Sequence, residues 1–149
     1  MDTAARSGDN QDMDKVLSRF TDPAYAAFRI VIGLLFAQHG LQKLFGMFGG
    51  IGGPGDPPGA TAPFFSQVWI GGAIELVCGL AVAAGWQARI AAFLACGTMA
   101  VAYFQFHQPE GVLPIQNGGL PAVLYCFAFL VIATRGSRFR SSPEERPPA

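Results

Sequence analysis

Four long apolar runs set the pattern of this chain: residues 24–46, 66–86, 88–107 and 119–135. Each is near the length of about 20 residues that a helix needs to cross the hydrocarbon of a bilayer, and the fourth is at the short end. Backbone polar groups in lipid must be satisfied within the segment, so these runs read as helices and not strands. The polar stretches between them are turn-rich. Residues 47–63, MFGGIGGPGDPPGATAP, are crowded with Gly and Pro and predict a flexible or loosely packed loop. Gly85 to Ala88 predicts a tight hairpin, and QPEGVLPIQNGG a turn region before the last run. The glycines of the first loop precede no GK[ST] and follow no strand, so they do not form a phosphate loop. Ahead of the first run, Met13, Val16, Leu17 and Phe20 recur at helical spacing. This marks a short amphipathic helix on the membrane surface or an extension of the first span.

The expected fold class is therefore all-α: an integral membrane four-helix bundle over residues 23–136. A polar tail of residues 1–22 precedes it and a polar tail of residues 137–149 follows. The first apolar run is long, no clear cleavage site follows it, and residues 1–22 hold five aspartates. It is read as a retained anchor, not a signal peptide.

Charge orients the bundle. Arg6, Lys15 and Arg19 precede the first run, Arg89 sits at the second hairpin, and Arg135, Arg138, Arg140 and Arg146 follow the fourth. The first and third loops hold no Lys or Arg. Positive residues mark the cytoplasmic side, which places both termini in the cytoplasm. Tyr25, Trp69, Trp86, Tyr103 and Phe106 fall near the expected span ends, where aromatic belts form.

Only 13% of the residues are charged, against about 25% in an ordinary soluble domain. Net charge is zero, and no basic cluster with interleaved aromatics is present, so nucleic acid is not an expected partner. The lipid bilayer is. Cys78, Cys96 and Cys126 each stand alone in an apolar run and read as small packing residues.

The chemistry lies in a polar seam. The first run carries Arg29, Gln38, His39, Gln42 and Lys43, and ionisable groups in hydrocarbon cost about 2.5–3.5 kcal/mol each at the centre. Arg29 and Lys43 are close to four helical turns apart, and Gly33 and Gly40 fall near the same face, where a neighbouring helix can approach closely. Glu75 is the sole acid in any span. At a rise of about 1.5 Å per residue it lies about 13 Å below the outer end of its helix, His39 about 10 Å, Lys43 about 4 Å and Arg29 about 25 Å. A Glu75–His39/Lys43 cluster in the outer half is expected, with Arg29 at the inner interface. His107, at the end of the third run, and Gln116 and Asn117 in the third loop are placed at the outer mouth. The cluster serves either as a lock between the first two helices or as a ligand or proton site. His39, His107 and Glu75 lack the spacing of a metal site, and no metal is expected. No Ser/His/Asp or Cys/His arrangement argues for nucleophilic catalysis.

The strings FRIVIGLLFAQHGLQKLFG, GGAIELVCGLAVAAGWQARIAAFLACGTMAVAYF, PIQNGG and AVLYCFAFLVIA resemble the DoxX family of small bacterial four-helix membrane proteins over about residues 24–135. Arg29, Gly33, Gly40, Lys43, Glu75, Gly79, Arg89, Asn117 and Gly118 carry the resemblance. Two features depart from it: Leu120 stands where the family commonly has a glutamate, and the chain ends ATRGSRFRSS instead of in a Gly-rich turn with an SLD-like tail. One reading that the resemblance offers is a membrane subunit or accessory of a quinone-linked oxidoreductase with a soluble or membrane redox partner; the cofactor is left open, with quinone a candidate. Two other readings of the same residues stay open. One is a non-catalytic protein that handles a small lipophilic molecule. The other is a transporter, which four short helices would form only as a homo-oligomer. Arg29, Gly33, Gly40, Gly79 and Arg89 are expected to lock helices together; His39, Lys43, Glu75, His107, Gln116 and Asn117 are expected at the ligand or proton site.

Overall fold

The computed structural model describes residues 13–53 and 55–137. Four long helices account for the apolar runs: α1 Thr21–Phe45, α2 Gln67–Ala84, α3 Ala88–Ala102 and α4 Leu120–Arg135. Strand is absent among the described residues apart from an isolated bridge between Gly50 and Ala60. The described residues fall into two compact units, 13–28 and 29–137. In the first, residues 13–18 are helical and a turn at 19–20 precedes α1. Met13, Val16, Leu17 and Phe20 are all exposed there. In the second, residues 29–137 form the helical bundle.

Several helix ends have a local cause. Asp22 in the first turn of α1 and Lys43 in its last turn complement the helix dipole. Ser66 caps α2, its hydroxyl accepting from the Trp69 amide at 3.1 Å. At the other end Gly85 takes a left-handed conformation, φ 77°, and its amide closes back on the last turn. A side chain there would be strained, which is why glycine ends this helix. Pro121 sits in the first turn of α4, where its missing N–H costs nothing.

The helices pack through small residues. A Cβ built on Gly33 would lie 2.6 Å from the Gly79 carbonyl oxygen and 2.7 Å from the Ala83 amide. One on Gly79 would meet Gly33 and Ala37 backbone atoms at the same distances. Further along, Gly40 lies equally close to the backbone of Gly72 and Leu76. Helices α1 and α2 are thus in backbone contact along one seam, the packing expected where no hydrophobic force draws helices together in lipid. On its other flank α1 meets α4 through aromatic rings: Phe36 is edge-on to Phe129 at 4.6 Å and 5.5 Å from Tyr125. Ala88, Ala91, Ala92, Ala95 and Met99 line the buried side of α3.

The outside of the bundle is apolar. Val77 on α2, Phe93 on α3 and Phe127 on α4 are each more than 60% exposed. Large apolar side chains exposed on three helices are foreign to a water-soluble monomer and suit lipid contact. Thr21–Phe45, Gln67–Ala84 and Ala88–Glu110 are long and apolar enough to cross a membrane, and Leu120–Arg135 is a shorter apolar helix.

The Gly/Pro-rich connection differs from the loose loop that its composition suggests. It folds back on the end of α1: the Ala62 amide donates to the Lys43 carbonyl at 2.8 Å and the Ile51 amide to the Ala60 carbonyl at 2.9 Å. The Gln42 side-chain amide donates to the Gly50 carbonyl at 2.8 Å. Gln42 thereby gains the partner that a polar side chain at the end of a span needs.

Candidate functional site

The polar seam divides into two separate devices at opposite ends of the bundle. At one end the guanidinium of Arg29 donates to the carbonyls of Val82, by a short contact, and Ala83, at 3.0 Å. Both carbonyls lie in the last turn of α2, where Val82 also accepts from the Gly85 amide, so Arg29 caps that helix end and complements its dipole. Arg89, in the first turn of α3, donates to the Thr134 carbonyl of α4 at 2.9 Å. Each helical hairpin thus closes in the same way: an arginine from its first helix caps the end of its second. Arg29, Gly33, Gly40 and Gly79 all lie on the α1–α2 contact, and Arg89 on the α3–α4 contact.

At the other end Lys43 forms a short ion pair with Glu75 Oε1. Glu75 is 2% exposed and the Lys43 side chain 25%. Glu75 Oε2 is buried and without a hydrogen-bond partner among the described residues. An unmet polar atom at such depth costs on the order of 1–3 kcal/mol, more when the group is charged, and so asks for an explanation. One is at hand. Glu75 and Lys43 line a cavity of about 440 Å³ between α2 and α3, whose walls are otherwise mainly apolar: Val68, Ile70, Ile74, Met99, Val101 and Phe106. Gln67, Thr98 and His107 add the remaining polar groups. An apolar slot of a few hundred Å³ with a few convergent polar groups is the usual form of a small-molecule site.

His107 reaches this cavity because α3 does not end regularly. Residues Tyr103–His107 form a π-helical turn, a rare conformation that re-phases the side chains after it and recurs at functional sites. His107 Nδ1 lies 3.1 Å from the Asn117 carbonyl. A carbonyl only accepts, so Nδ1 carries the proton and Nε2 of the neutral ring is left as an acceptor. Asn117 is 8% exposed. Its side chain staples the loop: Nδ2 donates to the Gly111 carbonyl and Oδ1 accepts from the Gly119 amide, both at 2.8 Å. Asn117 therefore positions His107 and does not itself line the cavity.

Two more residues expected at the site lie outside the cavity. His39 is exposed and sits edge-on to Tyr125 of α4, 5.8 Å between ring centres, outside the cavity. It shares the depth of Glu75 but not its bearing around the α1 axis. Gln116 is exposed on the loop. Conversely, Gln67 and Thr98 line the cavity without having been singled out in the sequence. Gln67 also donates to the Gln105 side chain by a short contact that ties α2 to the π-helical turn. The signal available for Gln67 was an amide in the first turn of an apolar helix, which a cap position explains equally well. The described residues hold no group of three or more His, Cys, Asp or Glu able to bind a metal ion.

Comparison with known proteins gives the family. The DoxX family profile matches residues 24–108, which carry α1, α2, α3 and the π-helical turn. A protein of Haemophilus influenzae (strain ATCC 51907 / DSM 11121 / KW20 / Rd), described as uncharacterized, is 37% identical over 123 residues. That match covers 77% of this chain and 85% of the relative. No solved structure matches. With the match spanning more than half of the sequence, and with helices apolar enough for a bilayer, this chain belongs to the DoxX family of membrane proteins.

Proposed function

We propose that the α2–α3 cavity binds the head group of a quinone, and that the protein is a membrane subunit or accessory of a quinone-linked oxidoreductase. The observation that carries this reading is that Glu75, buried and with Oε2 unpartnered among the described residues, belongs to the lining of an apolar cavity. The fit is chemical. Lys43 is a donor. Glu75 Oε2 and His107 Nε2 are acceptors without a protein partner of their own in the bonds described above. Free acceptors suit a ligand that carries hydroxyls, so the site is matched to the reduced form of a quinone, and Lys43 to a carbonyl oxygen of the oxidised form. A quinone would supply two-electron, two-proton chemistry. The chain's own part is to hold the head group, to keep it in an apolar slot, and to offer Glu75 and His107 as proton acceptors. A soluble or membrane redox partner is part of this proposal, as is the orientation with both termini in the cytoplasm of a bacterial inner membrane. The arginines at the Arg29 end and the Lys/Arg-free loops at the Lys43 end support that orientation.

A second reading rests on the same ion pair. Lys43–Glu75 joins α1 to α2 beside the Gly40–Gly72 contact, so the pair also serves as a helix lock. Titration of a short-chain ubiquinone into the protein in lipid nanodiscs separates the two. Glu75→Gln removes a charged acceptor worth about 1.5–3 kcal/mol, so affinity for the reduced form should fall about 10- to 100-fold while the helices stay assembled. Unchanged binding, or a loss of stability with no binding in either protein, rejects the quinone reading and leaves the lock.

A further inference from the structure

We propose that Cys96 and Cys126 form a redox-active dithiol–disulfide couple inside the bilayer, oxidised by a lipid-soluble quinone. The two cysteines are 30 positions apart, and neither has a sequence neighbour of its kind. The fold brings their sulfurs to 3.5 Å. A disulfide bond is about 2.05 Å long, so closure needs the sulfurs to approach by roughly 1.5 Å, shared between two side chains. Alanines fill the buried side of α3, where small side chains let a neighbouring helix approach closely. Cys78, by contrast, is buried on α2 with no partner cysteine in the structure.

Position selects the oxidant. Cys96 lies eight residues from the Ala88 end of α3 and Cys126 nine from the Arg135 end of α4. Both therefore sit about 12–14 Å from the same end of the bundle, deep in the hydrocarbon. Glutathione is charged and stays in water, and thiol–disulfide exchange proceeds through an ionised thiolate. The aqueous thiol pool is thus cut off from this pair. Both cysteines are only half-buried, so a solute dissolved in the lipid reaches them from the side. A quinone is the class of membrane-soluble oxidant that takes up two electrons and two protons together. The reaction balances as two thiols plus one quinone giving one disulfide plus one hydroquinone. Two S–H bonds break, one S–S bond forms, and both protons and both electrons end on the quinone oxygens. The product ties α3 to α4 covalently. None of this requires the α2–α3 cavity, so the couple stands or falls apart from the ligand reading.

The test uses the full chain, reduced and reconstituted anaerobically in nanodiscs, with a short-chain ubiquinone as oxidant. Thiols are counted by alkylation after denaturation, intact mass is measured, and the linkage is mapped by proteolysis. The expected result is a fall from three titratable thiols to one, a mass loss of two hydrogens, and a Cys96–Cys126 linkage. Cys96→Ala and Cys126→Ala should each keep both remaining thiols, whereas Cys78→Ala should oxidise as wild type does. Three thiols persisting in the wild-type protein, or a linkage through Cys78 or between two chains, overturns the proposal.

Discussion

Gly33→Ala and Gly79→Ala should each destabilise the bundle, and the size of the effect follows from the α1–α2 seam. An added methyl at Gly33 would lie 2.6 Å from a backbone oxygen, where ordinary contact begins at 3.4 Å. The shortfall is about 0.8 Å against backbone, which cannot rotate away, so the helices must separate. Overpacking of this kind costs about 1–3 kcal/mol. Alanine returns up to about 1 kcal/mol through its better helix propensity. With the full return, the net loss should be up to about 2 kcal/mol. Gly71, on the same helix as Gly79, has nothing within 4 Å of a built Cβ, so Gly71→Ala should be neutral or gain up to about 1 kcal/mol. The double variant Gly33→Ala/Gly79→Ala should cost less than its two parts together, because the first methyl already opens the gap that the second needs. Equilibrium unfolding in mixed micelles, followed by circular dichroism, measures all four. Should Gly33→Ala behave like Gly71→Ala, or the two seam variants add without interaction, the backbone contact is not what holds α1 to α2.

Three further outcomes follow from the caps, the ion pair and the loop. Arg29→Met removes two hydrogen bonds to the end of α2, whereas Arg89→Met removes one at an exposed position. The first should cost about 1–2 kcal/mol and the second about half that or less in the same unfolding assay. Lys43→Met leaves Glu75 buried without its cation and should lose about 3–5 kcal/mol, with Lys43→Met/Glu75→Gln recovering much of the loss; equal instability of the two variants would show that the pair contributes nothing. Asn117→Ala frees the Gly111 carbonyl and the Gly119 amide and should cost about 1–3 kcal/mol, with faster hydrogen exchange confined to the third loop.

The legible parts of this chain were those that a helix translates directly. Arg29, Gly33, Gly40 and Lys43 fall on one stripe by the helical period alone, and that stripe is the α1–α2 seam. Depth arithmetic also paired Lys43 with Glu75. It gave the wrong partner in His39, because rise per residue fixes height along an axis and not bearing around it. His39 is one residue before Gly40, about 100° around the helix at 3.6 residues per turn. Its ring lies edge-on to Tyr125 of α4. The fold-back of the first loop was hidden for a different reason. Gly and Pro announce irregular backbone, but the pairing of Gly50 with Ala60 depends on what lies across the loop. The π-helical turn left no mark in the pattern of apolar residues, so the route of His107 into the cavity could not be read. The approach of Cys96 to Cys126 required knowing that α3 and α4 are neighbours.

The Lys43–Glu75 pair also bears on how the chain enters a membrane during synthesis. A carboxylate-bearing residue near the middle of a span is costly to release into lipid alone, by about 2.5–3.5 kcal/mol on insertion scales. Lys43 closes α1 and is made 32 residues before Glu75. When α2 leaves the ribosome, its counter-ion is therefore already waiting at the far end of the preceding helix. The connection between them is pinned to the Lys43 carbonyl, which keeps the two segments at one doorway. The first two helices are thereby suited to partition as a hairpin, with the second helix's hydrophobic cost settled at the moment it meets the first.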